Sequence, residues 1–588
     1  MKTALLTLSV TLLGWATATA QNIDDYRTAA SGAWNTPITW ERYNGTAWLA
    51  AVAAPNNTNG VITVRSPHSI SMPGGTIDQV VVESGATVNH AGWVDVANGA
   101  GIDLVVDGTW NFISGHLHGA GSSQINGTFT WENGEIGGPH YIAISFFTLT
   151  IGSNGVLNLN TAVSKTINRA QIVSSGTTNW NAGNLFAQGM IGSDTAKFTN
   201  QGTLHIGAGT LELYGPFTST ANATVNKATT GTFTTMQGTF FKSHGTLNIS
   251  NGTFSTNNQN SFFRNYGTIN TTGTGIFNGQ WNVLLHAGSF LTGNGTIIAL
   301  GNWQLLGATV VDTGTTISHN GGVMVGPGLL TVNGTYNFSA GEIGGPNYIN
   351  PGFTVVEISP TGIFNLNSSA QKFLSRARVV NYGTTNLNSG EWYLNSAGVT
   401  DTTKFVNHGT LFLGAGALDL YGQAPARFVN KPGATITKNT SSTFTTRQGT
   451  YFENHGTLNI SDGTFSTNNQ NAFFHNHSTI NTTGAGTFNG QWNVLLHAGS
   501  FLTGNGTIIA FGNWQLLGAT VVDTGTTISH NGGVMVGPGL LTVNGTYNFS
   551  AGEIGGPNYI NPGFTVVEIS PTGIFNLNSS AQKFLSRA

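Results

Sequence analysis

Residues Phe277 to Ala377 recur as Phe488 to Ala588 at a constant offset of 211, with a single change, Leu300 against Phe511. A chain that accepts a copied block of this length needs an architecture in which each unit touches only its neighbours. A globular core would have to be redesigned around the addition, whereas a stacked solenoid would not. The module is traceable three times. The middle copy runs from about Asp312 to about Val522, and the third begins at Asp523 and breaks off at Ala588, inside sequence that the middle copy continues as Arg378-Val379-Val380. The first copy is diverged: Thr87-Val88-Asn89-His90 aligns with Thr316-Ile317-Ser318-His319, and Gly134-Glu135-Ile136-Gly137-Gly138-Pro139 with Gly341-Glu342-Ile343-Gly344-Gly345-Pro346.

Between these two landmarks copy one carries two consecutive segments, Gly108-Thr109-Trp110-Asn111-Phe112 and Gly127-Thr128-Phe129-Thr130-Trp131, 19 residues apart, where copy two has one. Gain or loss of a single coil leaves this trace. Smaller units recur as Gly-Thr followed by alternating residues, as in Gly202-Thr203-Leu204-His205-Ile206 and Gly409-Thr410-Leu411-Phe412-Leu413. Period two is the signature of a strand, and no amphipathic helix is evident. The pattern predicts an all-β parallel β-helix, right-handed, over residues 84–588, with Gly at corners, Thr and Asn laddering between coils, and Leu, Ile, Val and Phe inside. Tandem β-sandwiches are the alternative.

Composition narrows the partners. Only 43 of 588 residues are charged and the net charge is −3, which predicts no nucleic-acid or anionic-membrane partner. The chain has no cysteine, so disulfides, thiol catalysis and Cys-ligated zinc or iron–sulfur sites are excluded. Residues 1–20 read as a secretory signal peptide, with Lys2, an apolar stretch from Ala4 to Ala16 and the small-x-small site Ala18-Thr19-Ala20. No later segment is long and apolar enough for a transmembrane helix. An extracellular or outer-surface location is the expectation.

Residues 21–83 differ from the remainder, with Trp34, Trp40 and Trp48 close together, then Pro55-Asn56-Asn57 and the strand-like Val61-Ile62-Thr63-Val64-Arg65. An aromatic β cap over the first coil is the favoured reading, since an open solenoid end is a sheet edge. A sugar-stacking platform on Trp34, Trp40 and Trp48 is its functional rival. This opening segment resembles that of large secreted repeat proteins of the Bacteroidetes, and the Gly-Thr-Leu repeats are similar to filamentous-haemagglutinin-like and pectate-lyase-like β-helices. The resemblance implies a cell-surface or released, adhesin-like protein. It also implies a C-terminal sorting domain, which is not seen before Ala588, so the sequence reads as truncated.

No constellation of catalytic residues stands out. Glu135, Glu342 and Glu553 each occupy Glu-Ile-Gly-Gly-Pro. A calcium site or a glycosidase pair needs further carboxylates beside them, so a turn carboxylate is the plainer reading. His116 and His118 share one face of a strand, a spacing that allows joint metal ligation, but a third ligand is not apparent. There is no Gly-Lys-Ser/Thr phosphate loop, and no cofactor or metal is expected. The sequence therefore reads as a structural, non-enzymatic surface protein in weak multivalent contact with glycans or other surface components. A polysaccharide-degrading β-helix lyase or hydrolase is the alternative, and three carboxylates meeting in one groove would favour it.

Overall fold

The computed structural model describes residues 21–138, 145–188, 195–345, 353–396, 403–422, 426–447, 449–556, 564–586 and 588. The chain divides into two compact units, residues 1–157 and 158–588. Each is a parallel β-solenoid, as the alternation predicts, and neither is a sandwich. Among the described residues there is no α-helix, only a 3₁₀ turn at Pro37–Thr39, and no helix is long and apolar enough to cross a membrane.

The first unit opens with an antiparallel meander, in which Tyr26–Thr28 pairs with Trp40–Tyr43 and that strand with Trp48–Ala50. Parallel winding starts at Ile62–Val64, earlier than the expected boundary after residue 83. That strand stacks on Tyr26–Thr28, and Val80–Val82 and Leu104–Val106 follow on it in turn. The two 19-residue-spaced segments sit in adjacent turns in exact register, Thr109 on Thr128 through Phe112 on Trp131. The extra segment of copy one is thus one whole coil. Its corner depends on Gly115, where φ is +96° and an added Cβ would fall 1.9 Å from the Gly92 carbonyl oxygen. No side chain fits between backbones stacked this closely.

In the second unit three strands make a turn. Alternating residues point inward, as in Thr246–Ile249, where Leu247 and Ile249 are buried. Phe405, Phe428 and Phe452 stack through the interior with ring centroids 4.9 and 4.5 Å apart. The expected amide ladders are present. Asn381, Asn407, Asn430, Asn454 and Asn476 are fully buried at successive strand ends. Each of the first four donates its Nδ2 to the next Oδ1, at 2.7, 2.8, 2.8 and 2.8 Å, and Asn476 donates to the Ser478 carbonyl. The ladder begins where the preceding turn offers Ile358 and stops where the following one offers Leu496. Lys165, Lys227, Lys372 and Lys438 are also buried, with each ammonium turned back onto the oxygens of an adjoining loop. Burial of a charge is tolerable there because those oxygens replace water.

The repeated block is not a whole number of turns. Pairing followed from Ser289 passes through Thr309, Leu330, Val356, Val379, Phe405, Phe428, Phe452 and Phe474 to Val494. Val494 is the counterpart, at an offset of 211, of Val283 and not of Ser289. Equivalent strands of the two copies therefore lie in different stacks, displaced by one side of the coil.

Candidate functional site

Two of the three tryptophans of the N-terminal segment, Trp34 and Trp40, are packed inside it. Trp34 is 4% exposed and Trp40 fully buried, edge to face at 4.9 Å. Their indole nitrogens donate to the Pro55 and Trp34 carbonyls. The face of Trp48 is occupied by the Arg27 guanidinium at 4.3 Å. These rings pack within and against the meander that precedes the first coil.

His116 and His118 do share a face, beside the half-exposed Trp93, whose ring lies 4.5 and 6.2 Å from theirs. Glu135 stands one turn on in register with His116, 4.0 Å from its Nδ1, and Asp95 lies 3.5 Å from His118. Glu342 and Glu553 have no such company. Val323 precedes Glu342 in register and Phe373 follows it, and Val534 and Phe584 flank Glu553 likewise. Burial raises the Glu342 carboxyl above its ordinary range, partly countered by a hydrogen bond from Ser375. Among the described residues, Glu342 and Glu553 thus have no acid in register on either side. The Pro139 and Pro346 ends of their motifs lie outside the described residues.

A cleft of about 680 Å³ lies elsewhere, on a corner of the second unit. The strands Thr464–Thr467 (within Thr457–Thr467), Thr487–Gly490 and Thr507–Ala510 stack in register. The chain leaving them places Gln470, then Gln491 and Trp492, then Phe511 one above another around the cleft. Trp492 is 41% and Phe511 53% exposed, so two aromatic surfaces face solvent. The amides of Asn493 and Asn513 complete the wall. Asn493 Nδ2 donates to the Gln470 carbonyl at 2.6 Å, and Asn513 Nδ2 to Asn493 Oδ1 at 3.2 Å. Asn513 Oδ1 is left buried without a partner. Aromatic faces rimmed by fixed amides suit a ligand with both C–H faces and hydroxyls. In the earlier copy Trp281 stands for Trp492 with the same exposure, and Leu300 for Phe511. The one difference within the repeated block therefore falls in this cleft.

A second surface of the same unit carries charge. Arg378, Lys404 and Arg427 follow one another in register, and Val380, Val406 and Val429 form a parallel floor ending at Glu453. With Lys431 they line a groove of about 410 Å³. Beyond it the column turns to histidine. His455 stacks on His477 and His477 on His497, with centroids 4.2 and 3.8 Å apart, while His475 stands in register after Glu453. Burial, then the neighbouring His497, holds His475 and His477 down at about 4, and burial also lowers His497. Neither the cleft nor this cluster is legible in the sequence, since the members of the one are spread over four turns and of the other over three, all of unequal length. No family model, curated protein or solved structure matches the chain.

Proposed function

We propose that the chain is an exported, surface-displayed β-solenoid that holds neutral glycans weakly and at several points, without transforming them. The observation that carries this reading is the corner cleft, where Trp492 and Phe511 face solvent beside the amides of Gln470, Gln491, Asn493 and Asn513. Repetition of the Trp corner at Trp281 supports multivalency, because linked weak contacts gain avidity without any new contact. The reading of the N-terminal signal and the resemblance of the opening segment to secreted surface repeat proteins support display outside the cell. Among the described residues the one group of three or more His, Asp or Glu ligand atoms within 4.8 Å is a trio of histidines.

The test is retention of the purified chain on a panel of immobilised polysaccharides, with reducing ends assayed in the same samples. Phe511→Leu, which restores the residue of the other copy, should lower retention several-fold, and Leu300→Phe should raise it. Unchanged retention in both variants, or the release of reducing ends, overturns the proposal. The column Arg378, Lys404 and Arg427 favours a second reading, an acidic glycan lying across the turns. Its mark is retention lost with salt and on Lys404→Ala but untouched by Phe511→Leu.

A further inference from the structure

The histidine cluster at 475–497 is independent of the glycan cleft and suits a different ligand. His475 sits in the strand Phe473–Asn476, His477 on the corner just past it, and His497 on the same corner one turn on, after Val494–Leu496. One nitrogen from each lies within 4.8 Å of the other two, and His475 Nδ1 is 3.0 Å from His497 Nε2. His475 is 9% exposed, and its Nε2 is buried with no hydrogen-bond partner. Three imidazoles converging in this way, one of them held inside the wall, form a donor set rather than an ordinary solvated surface.

Imidazole nitrogen chooses among metals. It suits zinc, copper and nickel, whereas calcium and magnesium demand oxygen, and no oxygen cage surrounds these rings. In a tetrahedral site with metal–nitrogen bonds of about 2.0–2.1 Å, neighbouring donor atoms lie about 3.3 Å apart. The His475–His497 pair, at 3.0 Å, lies close to that value, and no pair exceeds 4.8 Å. The rings are nearly parallel, His477 lying 14° from His497, so their in-plane lone pairs converge only after rotation about Cβ–Cγ. His477 and His497 are partly exposed, so the rings that would have to turn are those nearest solvent. Three protein ligands leave a fourth position for water or an outside group. Glu453, one turn before His475, receives Arg427 at 2.9 Å and lies 3.3 Å from His455 Nε2. It sets a negative charge near all three imidazoles from outside the donor set.

We propose that His475, His477 and His497 bind one divalent transition-metal ion of the zinc, nickel or copper type. The other copy supplies the control. At an offset of 211 the same backbone carries Arg264, Tyr266 and His286, a set with one ligand, in which Tyr266 stacks on His286 at 4.0 Å. The fold thus already accommodates the residues needed to abolish the site.

The experiment uses the untagged full chain, stripped with a chelator. It is titrated with Zn²⁺ by calorimetry and with Co²⁺ as an optical probe of nitrogen coordination. The wild type should take up one equivalent more tightly than His475→Arg/His477→Tyr, with an affinity difference of 100-fold or more, and should show tetrahedral ligand-field bands that the variant lacks. The reverse pair, Arg264→His/Tyr266→His, should add a second equivalent. The proposal is overturned if the double variant binds as the wild type does, or if the wild type shows no saturable equivalent. Should the double variant fail to fold, His477→Tyr alone and the gain-of-site variant decide the matter by the same readouts.

Discussion

Removing one rung of the buried asparagine ladder tests what holds successive turns together. In Asn430→Ala the Asn454 Oδ1 loses the donor that reaches it at 2.8 Å and remains inside a fully buried residue. Asn407 fares better, since its Nδ2 keeps the Gly409 and Thr435 carbonyls at 3.2 and 3.3 Å. One buried acceptor left unsatisfied costs about 1–3 kcal/mol, and with the lost packing the total is about 2–4 kcal/mol. Asn248→Ala cuts a ladder of the same chemistry on the partly exposed face, where Asn248 donates to Asn226 at 2.9 Å. Water can replace that partner, so the expected cost is about 0.5–1 kcal/mol. A long repeat array opens piecemeal, which makes amide exchange the proper assay rather than a single melting temperature. In the turns around residues 427–457 Asn430→Ala should speed exchange roughly 30- to 1,000-fold, against about 2- to 5-fold for Asn248→Ala around its own turns. Equal effects at the two sites would refute the reasoning, because burial of the acceptor would then not be what sets the cost.

Two further outcomes follow from particular positions. Gly115→Val should prevent the first unit from reaching native exchange protection in the turns around residues 109–131 while leaving the second unit's protection intact, since a Cβ there meets the Gly92 carbonyl at 1.9 Å. His319 and His530 are held at about 4 by burial, each with its Nδ1 against a buried tyrosine hydroxyl. In the unfolded chain they titrate near 6.5, so between pH 6.5 and 4 the unfolded state binds more protons and stability falls as pH falls. Thermal melts across that window should slope downward by up to about 1.4 kcal/mol per unit for each histidine, and His319→Gln/His530→Gln should flatten the slope. An unchanged slope would show that these two rings do not titrate on unfolding.

The coil was legible because its rules are local. Gly-Thr starts and alternating apolar residues specify each strand, and the 19-residue surplus in copy one exposes the unit of winding. The ladders were legible as composition, though not which asparagines turn inward. The cleft and the histidine trio were not, for a physical reason. Their members come from successive turns, and which residues meet depends on the length of every intervening loop. Adjacent rungs can be separated by 19 residues, as Thr316 and Thr335 are, or by 28, as Asn337 and Asn365 are. A signal was present nonetheless. Leu300/Phe511 is the single difference within the repeated block, and Arg264/His475 and Tyr266/His477 are among the differences just before it; comparison of copies thus points to positions that have diverged on a shared scaffold. For the tryptophans at 34, 40 and 48 the sequence favours a cap and keeps a sugar platform as its rival, since aromatic density alone does not distinguish a binding face from closing material.

The mismatch between block length and coil means that duplicated features are not lined up along one edge. The corner bearing Trp281 and the corner bearing Trp492 look out in different directions, and a third block would turn once more. Duplication has in effect spread the outward-facing tryptophans around the circumference of the coil instead of along a single edge.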